Sequence, residues 1–149
     1  MKLVNRSAGY NYLLFDRIET GVALTGAEVK SLFAGQASLE EAYVKIVDGE
    51  LFLLNAHIHP YRFADVKKID PKRTRKLLLH KKELLALQGK MQQKNLVLVP
   101  VMWYNKGRQI KLEIALAKGK KKWEKREAIK RADLARETEE ELKTLNTKL

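Results

Sequence analysis

The sequence contains no cysteine. That excludes disulfides, thiolate metal sites and a cysteine nucleophile, and it fits a reducing cytoplasm. No stretch approaches the roughly 20 apolar residues a membrane span needs. The first residues, Met1-Lys2-Leu3-Val4-Asn5-Arg6, hold no long apolar run, so no secretory signal is expected. Aromatics are only 7% of the chain, few for a protein that stacks successive bases of a single strand. No glycine stands before a Lys-Ser or Lys-Thr pair in a phosphate loop. His57 and His59 lie two apart on a strand-like stretch. Without a third ligand they make no metal site, so core or surface histidines are expected there and no metal. Glu40-Glu41 and Glu139-Glu140-Glu141 sit in polar stretches without a pocket signal. No general acid–base pair, no catalysis and no cofactor are expected.

Acidic residues are also short. Against 30 Lys and Arg stand 18 Asp and Glu, a formal net charge of +12. Such a surface attracts polyanions at a distance, and nucleic acid is the usual partner. The 149 residues, 45% of them apolar, suit one domain with a sizeable core. The charge divides the chain. Residues 1–117 mix apolar and polar positions. Residues 118–149 lose most large apolar side chains, with nine basic and three acidic residues over 117–136. Acid-first pairs at i, i+4, Glu127 with Arg131 and Glu139 with Lys143, support a helix there. No apolar stripe accompanies them. The expectation is a basic C-terminal tail, mobile alone and helical on a partner.

Strand signals dominate the body. Tyr10-Asn11-Tyr12-Leu13-Leu14-Phe15 is aromatic and apolar. Asp48-Gly49 between β-prone runs is a hairpin signal, because both turn residues must accept positive φ. Residues 96–104 place Val97, Val99, Val101 and Trp103 on one face and Leu98 and Met102 on the other, which predicts a deeply buried strand. After a turn at Asn105-Lys106-Gly107-Arg108, Ile110, Leu112, Ile114 and Leu116 alternate with Gln109, Lys111, Glu113 and Ala115, the period of a strand with one wet face. Two helices interrupt. One spans about residues 26–34, with Thr25 as N-cap and Gly35 beyond its end. The other spans about residues 80–93, with His80, Leu84, Leu87 and Met91 on one face. Mainly β with some α, in short antiparallel strands, suggests a small Greek-key or up-and-down barrel of five or six strands. The oligonucleotide-binding (OB-like) type is the natural candidate.

Two basic runs stand out. Lys67-Lys68-Ile69-Asp70-Pro71-Lys72-Arg73-Thr74-Arg75-Lys76 places six cations in ten residues beside a loop signal. Its arginines could fork onto phosphates, or the loop could merely aid solubility. Lys118-Gly119-Lys120-Lys121-Lys122-Trp123-Glu124-Lys125-Arg126 sets a Trp among cations, suited to stacking on a base or to folding back on the barrel.

Particular words then resemble one family. Glu19-Thr20-Gly21, Leu24-Thr25-Gly26-Ala27-Glu28-Val29-Lys30-Ser31-Leu32, Asp70-Pro71-Lys72-Arg73-Thr74-Arg75-Lys76-Leu77-Leu78-Leu79, Ala115-Leu116-Ala117-Lys118-Gly119-Lys120-Lys121 and Lys125-Arg126 occur in order across nearly the whole chain. Each alone is a weak signal. Together they resemble the small protein B (SsrA-binding protein) family of bacteria. The resemblance implies an OB-like antiparallel barrel with two or three flanking helices and a flexible basic C-terminal tail. It implies a cytoplasmic RNA-binding protein in a one-to-one complex, monomer with RNA. The RNA would be transfer-messenger RNA (tmRNA), held by its transfer-RNA-like domain at the elbow of D-loop and T-loop. The second partner would be the stalled ribosome, at its decoding centre and message channel, where trans-translation tags the incomplete peptide. The tail would become a helix in the empty channel and sense that no message is there. A general single-strand or structured-RNA binder of the OB class is the alternative.

Residue by residue, the resemblance implies that Asn5, Glu19 and Leu78 bind this RNA, with Lys30, Arg73, Arg75 and Lys76 as cations of the same site. A carboxylate beside RNA is costly unless it accepts from base or ribose donors, which suits Glu19 to specificity; a simple turn carboxylate before Gly21 is the other reading. Leu78 could face RNA or support the core. Lys118, Gly119, Lys120, Lys121, Trp123, Lys125 and Arg126 match the start of the ribosome-contacting tail. Phe33 and Gln36 replace two cations the family commonly carries after its first helix, which leaves Lys30 as the main charge there. Glu124 replaces the Asp of the family's Asp-Lys-Arg.

Overall fold

The structure, a computed structural model, describes residues 1–61 and 70–120. In chain order these form β1 (Lys2–Val4), α1 (Arg6–Asn11), β2 (Tyr12–Val22), α2 (Gly26–Phe33), β3 (Ala37–Ser38), β4 (Tyr43–Val47), β5 (Glu50–Leu54), β6 (His57–Ile58), β7 (Arg75–Leu78), α3 (Lys81–Lys94), β8 (Val97–Lys106) and β9 (Gln109–Gly119). Asp48 and Gly49 adopt φ of 51° and 75°, and the hairpin between β4 and β5 closes there as expected. Gly107, at φ 60°, opens the tight turn between β8 and β9. The main sheet runs β1-β8-β4-β5-β7-β2-β9, and β9 also pairs with β8. That extra pairing closes the sheet into an antiparallel barrel, with β1 laid against β8 outside it. The small pair β3 and β6 stands apart.

The barrel is filled by Leu51, Leu53, Leu77, Leu98, Trp103, Leu112, Ile114 and Leu116, all buried, with Leu32 of α2 and Leu84 and Leu87 of α3 in the same cluster. Fully burying one such side chain stabilises the fold by about 1.5–3 kcal/mol. Thr25 caps α2 through a capping box. Its hydroxyl accepts from the Glu28 N–H, and the Glu28 carboxylate accepts from the Thr25 N–H. Gly35, at φ 75°, ends α2 in the left-handed conformation that glycine adopts readily. Asn95 does the same for α3 at φ 52°.

Two expectations are corrected. Tyr10 and Asn11 belong to α1, not to a strand. This short helix lays Ala8 over Val99 and Ala117, with Tyr12 and Leu14 alongside, as a second small core outside the barrel. Nor does β8 keep one face from Val97 to Trp103. A register shift between Pro100 and Met102 reverses its alternation. Leu98 and Trp103 therefore both point into the barrel, whereas Val99 packs outside it. Pro100 has no N–H to give the ladder, and a bulge absorbs that defect.

Asn5 completes this bulge. Its N–H donates to the Val101 carbonyl at 2.7 Å, and its Nδ2 donates to the Pro100 carbonyl at 2.8 Å. The Ser7 hydroxyl in turn donates to Asn5 Oδ1 at 2.7 Å, which fixes the amide's orientation. Asn5 is buried and engaged on both sides. These bonds pin α1 and the bulge of β8, and Asn5 also lines the groove it shares with Ser7 and Glu40.

Candidate nucleic-acid interface

Alternation in β7, β2, β9 and β8 produces one continuous outer face. Arg75 and Leu77 point inward, whereas Lys76 and Leu78 point out. Thr20 is buried, whereas Glu19 on its flank is exposed. Lys111 and Glu113 stand on the wet side of β9 between buried Ile110, Leu112 and Ile114. Pairing aligns these residues. Leu78 lies opposite Gly21, Gly21 opposite Lys111, and Lys111 opposite Tyr104. A Cβ on Gly21 would meet the Leu78 Cβ at 3.2 Å, so the missing side chain lets Leu78 lie close across β2. Leu78 is 52% exposed, an apolar tile on an otherwise charged face rather than a core support.

Glu19 sits beside this row and is held from two sides. The Tyr104 hydroxyl donates to its Oε1 at 2.5 Å. Lys106 Nζ stands 3.0 Å from Oε1 and 3.2 Å from Oε2. The Tyr104 hydrogen bond, then the one from Lys106, hold the Glu19 pKa below the ordinary carboxylate value, with Lys111 adding to the effect. Burial, then the Glu19 carboxylate, push the Tyr104 phenol up. Both groups therefore keep one protonation state near neutral pH: an anionic acceptor and a neutral donor. Beyond Glu19 a groove of about 440 Å³ runs between β2 and α3, lined by Arg17, Ile18, Glu83, Ala86, Leu87 and Lys90.

Other expected cations fall in different places. Arg75 is fully buried. Its Nε reaches Glu28 Oε2 at 2.6 Å, its Nη1 the Ala56 carbonyl at 2.6 Å and its Nη2 the Pro71 carbonyl at 3.1 Å. With its donors committed inside the fold, Arg75 does not fork onto phosphates; that expectation is corrected. Arg73 shares the same carboxylate, at 2.6 Å from Glu28 Oε1, but its side chain is 41% exposed. Lys76 pairs with Glu50 at 3.2 Å, and both are half-exposed. An ion pair so wet is worth about 0–1 kcal/mol, so Lys76 can exchange it for a phosphate. Lys30 is exposed at the end of α2, 5.3 Å above the Tyr61 ring.

The expected tail begins inside the barrel. Lys118 and Gly119 are the last residues of β9, opposite Leu13 and Tyr12. Lys120 still donates its N–H to the Asn11 carbonyl at 2.9 Å and its Nζ to the Gly9 carbonyl at 2.8 Å. Lys121, Trp123, Lys125 and Arg126, the tail helix, and Lys67 and Lys68 of the first basic run lie outside the described residues. His57 and His59 are 6.2 Å apart between ring centroids. Among the described residues no three His, Cys, Asp or Glu gather as metal ligands, and no helix is long and apolar enough to cross a membrane.

Comparison with known proteins adds the decisive observation. The sequence matches the SmpB protein family over residues 2–144. The chain belongs to this family. It is 50% identical over 139 residues to the SsrA-binding protein of Sulfurihydrogenibium sp. (strain YO3AOP1), covering 93% of this chain and 91% of that relative. The SsrA-binding protein of Persephonella marina is 48% identical over the same shares. Among solved structures, a chain from "tmRNA-SmpB: a journey to the center of the bacterial ribosome" superposes with a TM-score of 0.67 at 45% identity, covering 81% of this chain and 85% of that one. The family assignment agrees with the sequence words quoted above and with the observed barrel.

The sequence alone did not reveal Tyr104, Lys106 and Lys111 as the neighbours of Glu19 on this outer face. Lys111 was legible as the wet side of β9. Tyr104 was hidden by the bulge, which the proline in a central strand could have flagged.

Proposed function

We propose that this chain binds the transfer-RNA-like domain of tmRNA and carries it to stalled ribosomes, where incomplete peptides are tagged and the ribosome is freed. Near-complete coverage of SsrA-binding relatives, at 50% and 48% identity, is the observation that carries this reading. The protein works by binding rather than by catalysis, in the cytoplasm, as a monomer on one RNA. The outer face of β7, β2 and β9 meets the RNA elbow. Leu78 offers an apolar contact to an unstacked base, and Glu19 accepts hydrogen bonds from base or ribose. Lys30, Arg73, Lys76 and Lys111 supply phosphate contacts. Asn5 and Arg75 act through the fold. The second part of the protein, after the barrel, enters the empty message channel. Its contacts begin at Lys118, Gly119 and Lys120 and continue through Lys121, Trp123, Lys125 and Arg126.

The division of labour is testable by truncation. The cut belongs after Lys120, because removing Lys118 and Gly119 would strip two residues from the β2–β9 ladder. The shortened protein is expected to bind tmRNA as the full chain does, yet to give no peptide tagging in a reconstituted translation reaction stalled on a message without a stop codon. Full tagging by the truncated protein would contradict the assignment.

A further inference from the structure

The carboxylate of Glu19 stands on the proposed RNA face, opposite Glu113 of β9, and a bare carboxylate there faces two penalties. The RNA backbone repels it, and an exposed glutamate loses side-chain freedom on being fixed by a ligand. The structure lowers both before any RNA arrives. Tyr104 and Lys106 reach Glu19 from β8, across β9, because the shift between Pro100 and Met102 turns Tyr104 outward. Had β8 kept the alternation of its first half, with Leu98 inside, Tyr104 would point into the barrel beside the core. The bulge therefore delivers a phenol to the outer face, and Asn5 fills the bulge's carbonyls at Pro100 and Val101.

We propose that Tyr104 is a positioning residue for RNA recognition: its hydroxyl holds Glu19 in one orientation, with Lys106 offsetting the charge, so that the remaining carboxylate lone pairs face the RNA. This rests on the reading that Glu19 contacts RNA and adds how that contact is prepared. The hydroxyl donates to one oxygen at 2.5 Å. Each carboxylate oxygen can accept more than one hydrogen bond, so the clamp leaves acceptor capacity free. Preorganisation of this kind raises affinity by cutting the ordering cost on binding. The other charged groups around the carboxylate are Lys111 and Glu113 on β9, Arg17 on β2, and Glu83 and Lys90 on α3 along the adjoining groove. The phenol is the sole neutral donor among these named groups, so it orients the carboxylate without reversing the charge of the site.

A double-mutant cycle with the full chain tests this. Affinity for tmRNA is measured for wild type, Tyr104→Phe, Glu19→Gln and the double variant. Tyr104→Phe, which keeps the ring and its packing, is expected to weaken binding by about three- to tenfold, the scale of the ordering cost of one long side chain on binding. In the Glu19→Gln background the same change is expected to cost little. An equal loss in both backgrounds would overturn the proposal, since Tyr104 would then act by its own contact or through the fold. A second readout needs no RNA: carbon-detected titration of the Glu19 carboxyl in the free protein. Its midpoint is expected to rise in Tyr104→Phe, and an unmoved midpoint would overturn the clamp even where Glu19 itself proves essential. Wild-type affinity in Glu19→Gln would instead bring down the reading that Glu19 meets RNA, and the proposal with it.

Discussion

Replacing Glu19 with arginine is expected to lower the affinity for tmRNA about a hundredfold at moderate salt, the loss of two hydrogen bonds to a charged acceptor. The fold should remain intact, because Glu19 projects from the outer face of β2 while buried Thr20 beside it bonds to the Leu112 carbonyl. Two effects make up the loss, and a third works against it. The acceptor for base or ribose donors disappears. The new guanidinium faces Lys106 and Lys111 in place of the carboxylate that paired with Lys106 at 3.0 Å. The extra positive charge also raises affinity for any polyanion. The informative quantity is therefore the ratio of affinity for tmRNA to that for unstructured RNA of equal length. That ratio is expected to collapse even at low salt, where absolute binding is cushioned by charge. An unchanged ratio in a filter-binding titration would remove Glu19 from the recognition surface.

The second large effect is on stability. Arg75→Met is expected to destabilise the protein by about 3–5 kcal/mol, the usual result of removing one partner of a buried ion pair. Typical total stabilities are only about 5–15 kcal/mol. The variant keeps much of the arginine's length but leaves Glu28 with Arg73 as its one cationic partner beside the Thr25 N–H, and it leaves the Ala56 carbonyl without its Arg75 donor. The three elements joined here are α2, through Glu28, the segment at Ala56, and β7. Glu28 also closes the capping box of α2, so strain at its carboxylate reaches the helix start. Urea unfolding measures the loss. RNA affinity of the folded fraction should stay near wild type, since Arg75 is buried. The opposite pattern, an unchanged urea midpoint with lost RNA binding, would mean that Arg75 reaches the RNA after all.

The same network carries a pH dependence. Burial pushes the Glu28 pKa up, but hydrogen bonds from Arg73, the Thr25 N–H and Arg75 outweigh it and leave the pKa below its ordinary 4.5. A carboxylate whose pKa is depressed on folding stabilises the protein above the unfolded value and loses that contribution as pH falls through the folded value. The stability gap between wild type and Arg75→Met should therefore be full at neutral pH and narrow below pH 4.5.

Much of this architecture is legible in the residues themselves. Asp48-Gly49 names its hairpin because few pairs tolerate two positive φ angles in succession. Thr25, three residues before Glu28, names the start of α2, and Gly35 names its end. The alternation from Ile110 to Leu116 names a strand and its wet face. The residues that misled did so for identifiable reasons. In the basic run, charge was read as exposure, yet the period of β7 puts Arg75 on the same side as Leu77, where Glu28 waits from a distant part of the chain. Asn5 is polar and close to the chain start, so nothing local announces that it fills the carbonyls of a bulge 95 residues away. Tyr10 carries strand propensity, but Ala8 packing on Val99 and Ala117 draws it and Asn11 into α1. In each case a long-range partner overrides a local preference, and two of these residues, Asn5 and Tyr104, converge on the bulge in β8.

The most direct test of the account is binding of the full chain to three RNAs across a salt series: tmRNA, an elongator transfer RNA and an unstructured RNA of equal length. The account predicts tight, selective binding to tmRNA that persists at moderate salt, because shape, hydrogen bonds at Glu19 and the apolar contact at Leu78 remain when phosphate contacts are screened. Equal affinity for all three, falling together as salt rises, would mean that the +12 charge acts only as a general polyanion footprint, and would contradict it.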